Sequence, residues 1–344
     1  MLAPSIERHL EAWTRHVMRE TGRSREAIEG AAALFAGPIR EHAPFLWEEL
    51  EGMAHGSGLP VSRLLILQAR AEVMRANTAT LPALECTTFG VTKRRTAGEV
   101  TLFGQNVDLV PFVEEFGVIV RQYPTGAPAA LLYTTAGLLG HNGLNEAGVG
   151  VCANFIDDPA GWGEGLPRYL LSRLALRAET AETARAVVLT PPRAASRNLL
   201  IADDAGDLLD VEALCREAAI VRARDGLLVH ANHLEAPEFQ GYEKASENSL
   251  ARRGRLEQLL GETEEPLTIA AIQDFYRDHA NAPHSLCAHP FPGRNLQTVV
   301  SVIGDLTNRE LHAAKGSPCQ AAYVTYTLAT CQTGALSVTV RGGL

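Results

Sequence analysis

A thiol, an amide and a carboxylate mark the first place in this sequence where chemistry could be assembled. Cys86 lies in LECTTFGV, immediately after the small, polar, proline-containing stretch Ala76 to Ala83, so a linker ends there and a strand begins. Further along, the chain reads FGQNVD, which places Gln105, Asn106 and Asp108 at the end of a second strand, with Asp108 22 residues beyond Cys86. A hairpin between the two runs returns Asp108 to Cys86, and side chains two apart on a strand, such as Asn106 and Asp108, share a face. A thiol beside such groups suits nucleophilic attack on a carbonyl. The plainer alternatives are that Cys86 is a small buried hydrophobe and that Asn106 and Asp108 open the turn before Pro111.

Two histidine-bearing pairs compete with this site. His230-Ala-Asn-His233 resembles a pair of metal ligands, but at a strand end a spacing of three is expected to turn the rings to opposite faces, and no further ligands complete a tetrahedron. Cys287-Ala-His289 mimics a thiol–imidazole dyad, with both side chains on one face at strand spacing. It is the rival nucleophile, and its reading is a conventional Cys/His hydrolase. The six cysteines form no Cys-x-x-Cys pair, which argues against a zinc knuckle or a disulfide framework. No metal and no cofactor are expected.

The elements that must hold these groups fall into two kinds. Up to about residue 78 the pattern is helical: Ile6, Leu10, Trp13 and Val17 recur at spacings of three and four, Ser24 opens a second helix, and Pro60 precedes another over VSRLLILQARAEV. From Cys86 onward, short β-rich runs separated by turns predict antiparallel strands. Helices are expected over LPRYLLSRLALRA, AETARAVVL, Tyr242 to Leu260 and Ile269 to His279, and a hairpin turns at Asp204-Ala205-Gly206. With 46% hydrophobic residues, 21% charged residues and a net charge of −9, the chain reads as globular, without the clustered basic residues of a nucleic-acid surface. No apolar run approaches a membrane span and the first residues lack an apolar signal core, so a reduced, cytoplasmic setting is expected.

The pairing of Cys-Thr-Thr with Gly-Gln-Asn-x-Asp resembles the acyl-coenzyme A:6-aminopenicillanic acid acyltransferase family, cysteine members of the N-terminal-nucleophile hydrolases. The resemblance continues in order through GLNEAGVGVCAN (143–154), RNLLIADDAG (197–206), VHANH (229–233) and TVVSVIGD (298–305). It implies an α+β fold, a four-layer αββα sandwich, with an N-terminal helical segment. It also implies self-cleavage between Glu85 and Cys86, so that residues 1–85 become a small subunit and residues 86–344 a catalytic chain beginning at the nucleophile, together a self-generated two-chain heterodimer. Homo-oligomerisation is left open. Glu85 departs from the small residue the family commonly carries before its cysteine, and a non-catalytic scaffold of the same fold is the corresponding alternative.

The implied chemistry is economical. A freed α-amine titrates near pH 7.7–8.0 and a thiol near 8.5, so one residue supplies both base and nucleophile. The resemblance makes Asp108 the carboxylate that orients the amine. It makes Asn154 and Asn232 oxyanion or substrate-orienting amides, a donor of that kind being worth about 3–4 kcal/mol of barrier. Thr87 and Gln105 are supporting residues. Gln105 stands where the related bile-salt hydrolases carry arginine and so follows the acyltransferase-like branch, and Arg294 is expected to be a solvated loop residue. The implied substrate is a small N-acyl compound with a linear amide, attacked to give a thioester on Cys86. The branch includes enzymes that take acyl-coenzyme A, though no residue marks a coenzyme A site. Neither nucleic acid nor membrane is an expected partner.

Overall fold

The computed structural model describes residues 2–75, 85–242 and 244–328, together with the backbone of 337–341. The predicted linker, Ala76 to Ala83, lies outside the described residues.

Helices α1 (Ala3–Thr21), α2 (Arg25–Ala33), α3 (Ala36–His42), α4 (Pro44–Ser57), α5 (Val61–Gln68) and α6 (Arg70–Arg75) form the N-terminal arm. Ile6, Leu10, Trp13 and Val17 are buried along α1 as their spacing predicts, each burial worth about 1.5–3 kcal/mol. Ser24 caps α2 through its hydroxyl, 3.2 Å from the Ala27 backbone nitrogen. The expected single helix over VSRLLILQARAEV breaks at Ala69, whose backbone leaves helical geometry.

Fourteen strands follow among the described residues: β1 (Glu85–Val91), β2 (Leu102–Leu109), β3 (Gly117–Tyr123), β4 (Ala130–Thr135), β5 (Asn142–Asn145), β6 (Val149–Asn154), β7 (Arg197–Asp203), β8 (Leu208–Ala213), β9 (Ala218–Arg222), β10 (Leu227–His230), β11 (Gln297–Asp305), β12 (Glu310–Lys315), β13 (Val324–Thr327) and β14 (Ser337–Arg341). They make a six-stranded sheet ordered β10-β1-β2-β11-β12-β13 and an eight-stranded sheet ordered β14-β3-β4-β5-β6-β7-β8-β9, antiparallel except where β14 runs beside β3. The sheets pack face to face. Phe103 of β2 lies against Gly150 of β6, where an added Cβ would come 2.5 Å from the ring, so only glycine admits this close approach between layers. Residues of β1, β2, β6 and β7 are buried on both faces, because each sheet has the other sheet on one side and helices or loops on the other.

Between β6 and β7 lie α7 (Leu171–Ala175) and α8 (Ala181–Leu189), and between β10 and β11 lie α9 (Glu247–Glu262) and α10 (Ile269–Tyr276). The helix expected over LPRYLLSRLALRA shortens to a 3₁₀ turn and the five-residue α7. Residues 168–176 are all buried, so no amphipathic face is presented to organise a longer helix. Helix α9 starts at Glu247 rather than Tyr242 because Ser246 caps it, accepting from the Ser249 backbone at 3.2 Å. The αββα sandwich with N-terminal helices is the expected architecture.

The arm is welded to the eight-stranded sheet. His9 Nδ1 lies 2.7 Å from the Ala136 carbonyl, Gln68 donates to the Gly137 carbonyl at 2.6 Å and accepts from the Leu139 backbone at 3.0 Å, and Arg173 pairs with Glu49. Its apolar face joins the same core as the inter-sheet residues.

Candidate active site

The β1–β2 hairpin brings Glu85 opposite Asp108 and Cys86 opposite Val107, as the sequence spacing predicts. Alternation along β1 sends Cys86 and Thr88 between the sheets and Thr87 toward α9 and α10. Cys86 is buried, and its thiol is pushed up to about 11, first by burial and then by the Asp108 charge, against the Asp108 backbone N–H and the cations Arg197 and Arg252. A thiol held up in this way stays protonated at neutral pH unless a base removes its proton.

The peptide bond between Glu85 and Cys86 is held from several directions. The Cys86 backbone nitrogen donates to Asn232 Oδ1 at 2.9 Å, while Asn232 Nδ2 donates to the Phe155 carbonyl at 2.9 Å. Arg252 Nη1 donates to the Cys86 carbonyl at 2.5 Å and to Thr87 Oγ1 at 2.6 Å, and its Nη2 donates to Asn232 Oδ1 at 2.8 Å. On the other side of the bond, the Glu85 carboxylate forms an ion pair with Arg294. Arg294, expected to be a solvated loop residue, is instead 12% exposed at its side chain, because Glu85 draws it in.

Asp108 Oδ1 accepts from Thr298 Oγ1 at 2.6 Å, and Oδ2 has no partner among the described residues. Burial raises its carboxyl to about 7, opposed by the Arg252 charge and the Thr298 hydrogen bond. Asn106 shares the face of Asp108 but is spent on structure: its amide donates to the carbonyls of Tyr276 and Leu286, both at 3.0 Å. Gln105 and Asn154 form a deeper layer. Gln105 donates to Asn154 Oδ1 at 2.8 Å and accepts from Asn142, and Asn154 Nδ2 donates to Thr88 Oγ1 at 3.0 Å and to the His230 carbonyl at 3.2 Å.

The rings of His230 and His233 do not face opposite ways. They stack 6.2 Å apart, because β10 ends at His230 and the chain turns back toward α9. Burial by itself lowers the His230 imidazole, but the Asp210 and Glu212 carboxylates outweigh it and hold it up at about 10. The cationic ring donates to the Glu212 carboxylate at 3.0 Å and to the Ala231 carbonyl at 2.8 Å, which is a structural use. Cys287 and His289 do meet, at 3.6 Å, but on an irregular segment rather than a strand.

Two groups of site residues were missed by sequence reasoning. Arg252 is one, and a signal existed: Ser249, Arg252, Leu256 and Leu260 make the buried stripe of α9, and an arginine on an apolar stripe needs a buried partner. The other is a cluster of three guanidiniums around Tyr169. Arg70, Arg168 and Arg197 lie 4.2, 5.3 and 4.5 Å from its ring centroid, and each side chain is essentially fully buried. Each has two guanidinium nitrogens without a partner, and none forms a salt bridge, among the described residues. Burial by itself raises the Tyr169 phenol, but the three cations outweigh it and bring it down to about 8. Arg197 also acts on the Cys86 thiol, which places the cluster's charge beside that sulfur.

Residues 95–319 match the profile of the acyl-coenzyme A:6-aminopenicillanic acid acyl-transferase family. The chain belongs to this family. Among its relatives is the acyl-coenzyme A:6-aminopenicillanic-acid-acyltransferase 40 kDa form of Emericella nidulans, 26% identical over 288 residues that cover 81% of this chain and 77% of the fungal protein. Solved structures with a similar fold include penicillin V acylase from Agrobacterium tumefaciens, at 13% identity over 67% of this chain and 83% of that one, with a TM-score of 0.47. Another is the Caenorhabditis elegans N-acylethanolamine-hydrolyzing acid amidase ortholog, at 13% identity over 64% and 93%, with a TM-score of 0.45. As a member of the acyl-transferase family, the protein is an amide-bond hydrolase or acyltransferase of the N-terminal-nucleophile class. No helix among the described residues is long and apolar enough to cross a membrane.

Proposed function

We propose that the chain cuts itself before Cys86 and then uses that residue to break or transfer the amide of a small, anionic N-acyl compound. The observation that carries this reading is the clamp on the Glu85–Cys86 peptide: Asn232 on its nitrogen, Arg252 on the following carbonyl and Arg294 on the Glu85 side chain. In processing, Sγ attacks the Glu85 carbonyl carbon. The C–N bond breaks, the Cys86 nitrogen takes up the proton lost by the thiol, and water hydrolyses the resulting thioester to leave a Glu85 carboxylate and a free α-amine. In turnover the α-amine takes the thiol proton, Sγ attacks the substrate carbonyl, and the leaving amine carries that proton away. Water or an acceptor amine then resolves the thioester on Cys86.

Within this scheme Asn232 holds the amine through Oδ1, and Asp108 Oδ2, unpartnered among the described residues and on the residue paired with Glu85, accepts a hydrogen bond from it. Arg252 keeps positive charge beside the amine, which favours the neutral, basic form. Thr87 seats Arg252, while Gln105 and Asn154 are positioning residues that fix Thr88 and the end of β10. Residues 1–85 stay as the small subunit, because their apolar face belongs to the common core and Arg70 belongs to the site. Denaturing mass spectrometry of the purified protein should find fragments 1–85 and 86–344 that co-elute as one native particle. A single intact chain after prolonged incubation overturns the reading.

The anionic character rests on Arg70, Arg168 and Arg197, since three buried guanidiniums that form no salt bridge among the described residues, with the Glu72 carboxylate acting on two of them, leave positive charge in excess and favour a bound anion. The acceptor that names the family, 6-aminopenicillanic acid, is itself an acid. Arg197→Met is expected to raise KM for carboxylate-bearing amides or acceptors by at least about 10-fold while leaving matched neutral compounds little changed. Equal losses on both series would count against anion recognition.

A further inference from the structure

Away from Cys86, four side chains from three segments point their ligand atoms at one spot. His279 follows α10, Cys287 and His289 lie in the segment leading to β11, and Cys319 follows β12. The Nε2 atoms of His279 and His289 are 3.0 Å apart, and His289 Nε2 is 3.6 Å from Cys287 Sγ and 3.4 Å from Cys319 Sγ. All four ligand atoms lie within 4.8 Å of one another, and both cysteines are free thiols. Around a tetrahedral zinc ion, bond lengths of about 2.3 Å to sulfur and 2.0–2.1 Å to nitrogen require ligand separations of about 3.3–3.8 Å. The observed spacings scatter about those values. A hydrogen-bonded dyad needs two such groups, and it gives no reason for a second thiol and a second imidazole to converge on the same point.

We infer that His279, Cys287, His289 and Cys319 bind one zinc ion as a structural Cys2His2 site. Two thiolates and two neutral imidazoles are the donor set and geometry that select zinc over harder divalent ions. Two thiolate charges balance the ion, so a closed and partly buried centre carries no net charge. Four protein ligands leave no open position, which makes the site a clamp rather than a catalyst. This departs from the expectation of no metal, and it assigns Cys287 and His289 to ligation instead of a rival nucleophilic dyad.

The clamp lies behind the catalytic carboxylate. Ala288, between two of the ligands, donates its backbone N–H to Thr298 Oγ1 at 2.9 Å and accepts from the Thr298 backbone at 3.0 Å, and Thr298 Oγ1 donates to Asp108 Oδ1 at 2.6 Å. The segment from His289 to β11 also carries Arg294, the partner of Glu85. The ion therefore ties α10 to the segments that flank β11 and β12, and through Thr298 it positions Asp108.

Metal analysis of the full chain, purified without a metal-affinity step and after incubation with zinc followed by gel filtration, is expected to give about one zinc per chain. Cys319→Ser and His279→Ala should each lower that to a small fraction, with Tm reduced, whereas Cys86→Ala keeps the full complement. Should the ligand variants fail to fold, cobalt(II) loaded into the wild-type chain decides: thiolate-to-metal charge transfer with intense visible bands of a tetrahedral ion supports the site. A wild-type chain that retains no stoichiometric zinc and shows no such spectrum, unchanged zinc in Cys319→Ser, or an intact mass demonstrating a Cys287–Cys319 disulfide would each overturn it.

Discussion

Cys86→Ala is expected to leave the chain uncut and without measurable turnover, a loss of at least about 10⁴-fold, while the protein remains folded. The reason is that, in the proposed mechanism, one sulfur serves both steps. It attacks the Glu85 carbonyl to open the chain, and it then attacks the substrate once the freed amine can take its proton. The substitution removes a single buried atom from a core shared by both sheets, so stability should change little compared with activity. Cys86→Ser provides the contrast: a hydroxyl retains a weak nucleophile of similar size, so slow processing should survive with little turnover. Intact-mass spectrometry over days, alongside melting curves, reads both outcomes. Cys287→Ala is expected to show the opposite profile, with lost zinc and lowered Tm but a chain that still cleaves. Processing or turnover that persists in Cys86→Ala would remove Cys86 from its assigned role.

Asn232→Leu and Asn232→Asp should each lower kcat by roughly 100-fold or more in whatever fraction is processed, with KM little changed and the Asp variant worse at neutral pH. Asn232 was expected to act by donating its amide toward an oxyanion. The structure shows a prior commitment: Oδ1 accepts from the Cys86 nitrogen and from Arg252, and Nδ2 donates to the Phe155 carbonyl. Leucine removes the acceptor that orients the amine and takes from the buried Arg252 Nη2 its hydrogen-bond acceptor, leaving it only the Glu85 carboxylate at 3.9 Å. Aspartate keeps the acceptor but adds a negative charge, which pairs with Arg252, holds the amine protonated and repels a developing oxyanion. The sign for pH follows: the Asp variant should regain part of its rate as pH rises and the amine loses its proton, whereas the Leu variant should not. Rates per titrated Cys86 thiol, measured across pH beside melting temperatures, distinguish this from a turn-holding role. Unchanged kcat with lost stability would take Asn232 out of the site.

The features legible in the sequence are those set by neighbours along the chain. The α1 stripe, the Ser24 cap, the turn between β7 and β8 and the β1–β2 pairing that returns Asp108 to Cys86 all follow from periodicity, capping and hairpin spacing. The family resemblance, carried by ordered motifs, added the layered fold and pointed to Cys86 as the proposed nucleophile.

What only tertiary structure decided lies in contacts between residues far apart in sequence. Arg252 meets Cys86 across 166 residues and Asn232 meets it across 146, and no local rule links those positions. The orientation of the Asn232 amide, the inward turn of Arg294 and the gathering of Arg70, Arg168 and Arg197 around Tyr169 depend on how separate elements pack. Of the four ligands of the inferred zinc site, the sequence singles out Cys287 and His289 only as a dyad and gives no sign of His279 or Cys319, because metal spacing rules describe ligands on one short segment, whereas here a helix end and the segments flanking two strands each contribute. Local sequence sets which face of an element is apolar. The close-packed interior determines which buried charges and donors face each other, because each must find a partner there or carry the full cost of desolvation.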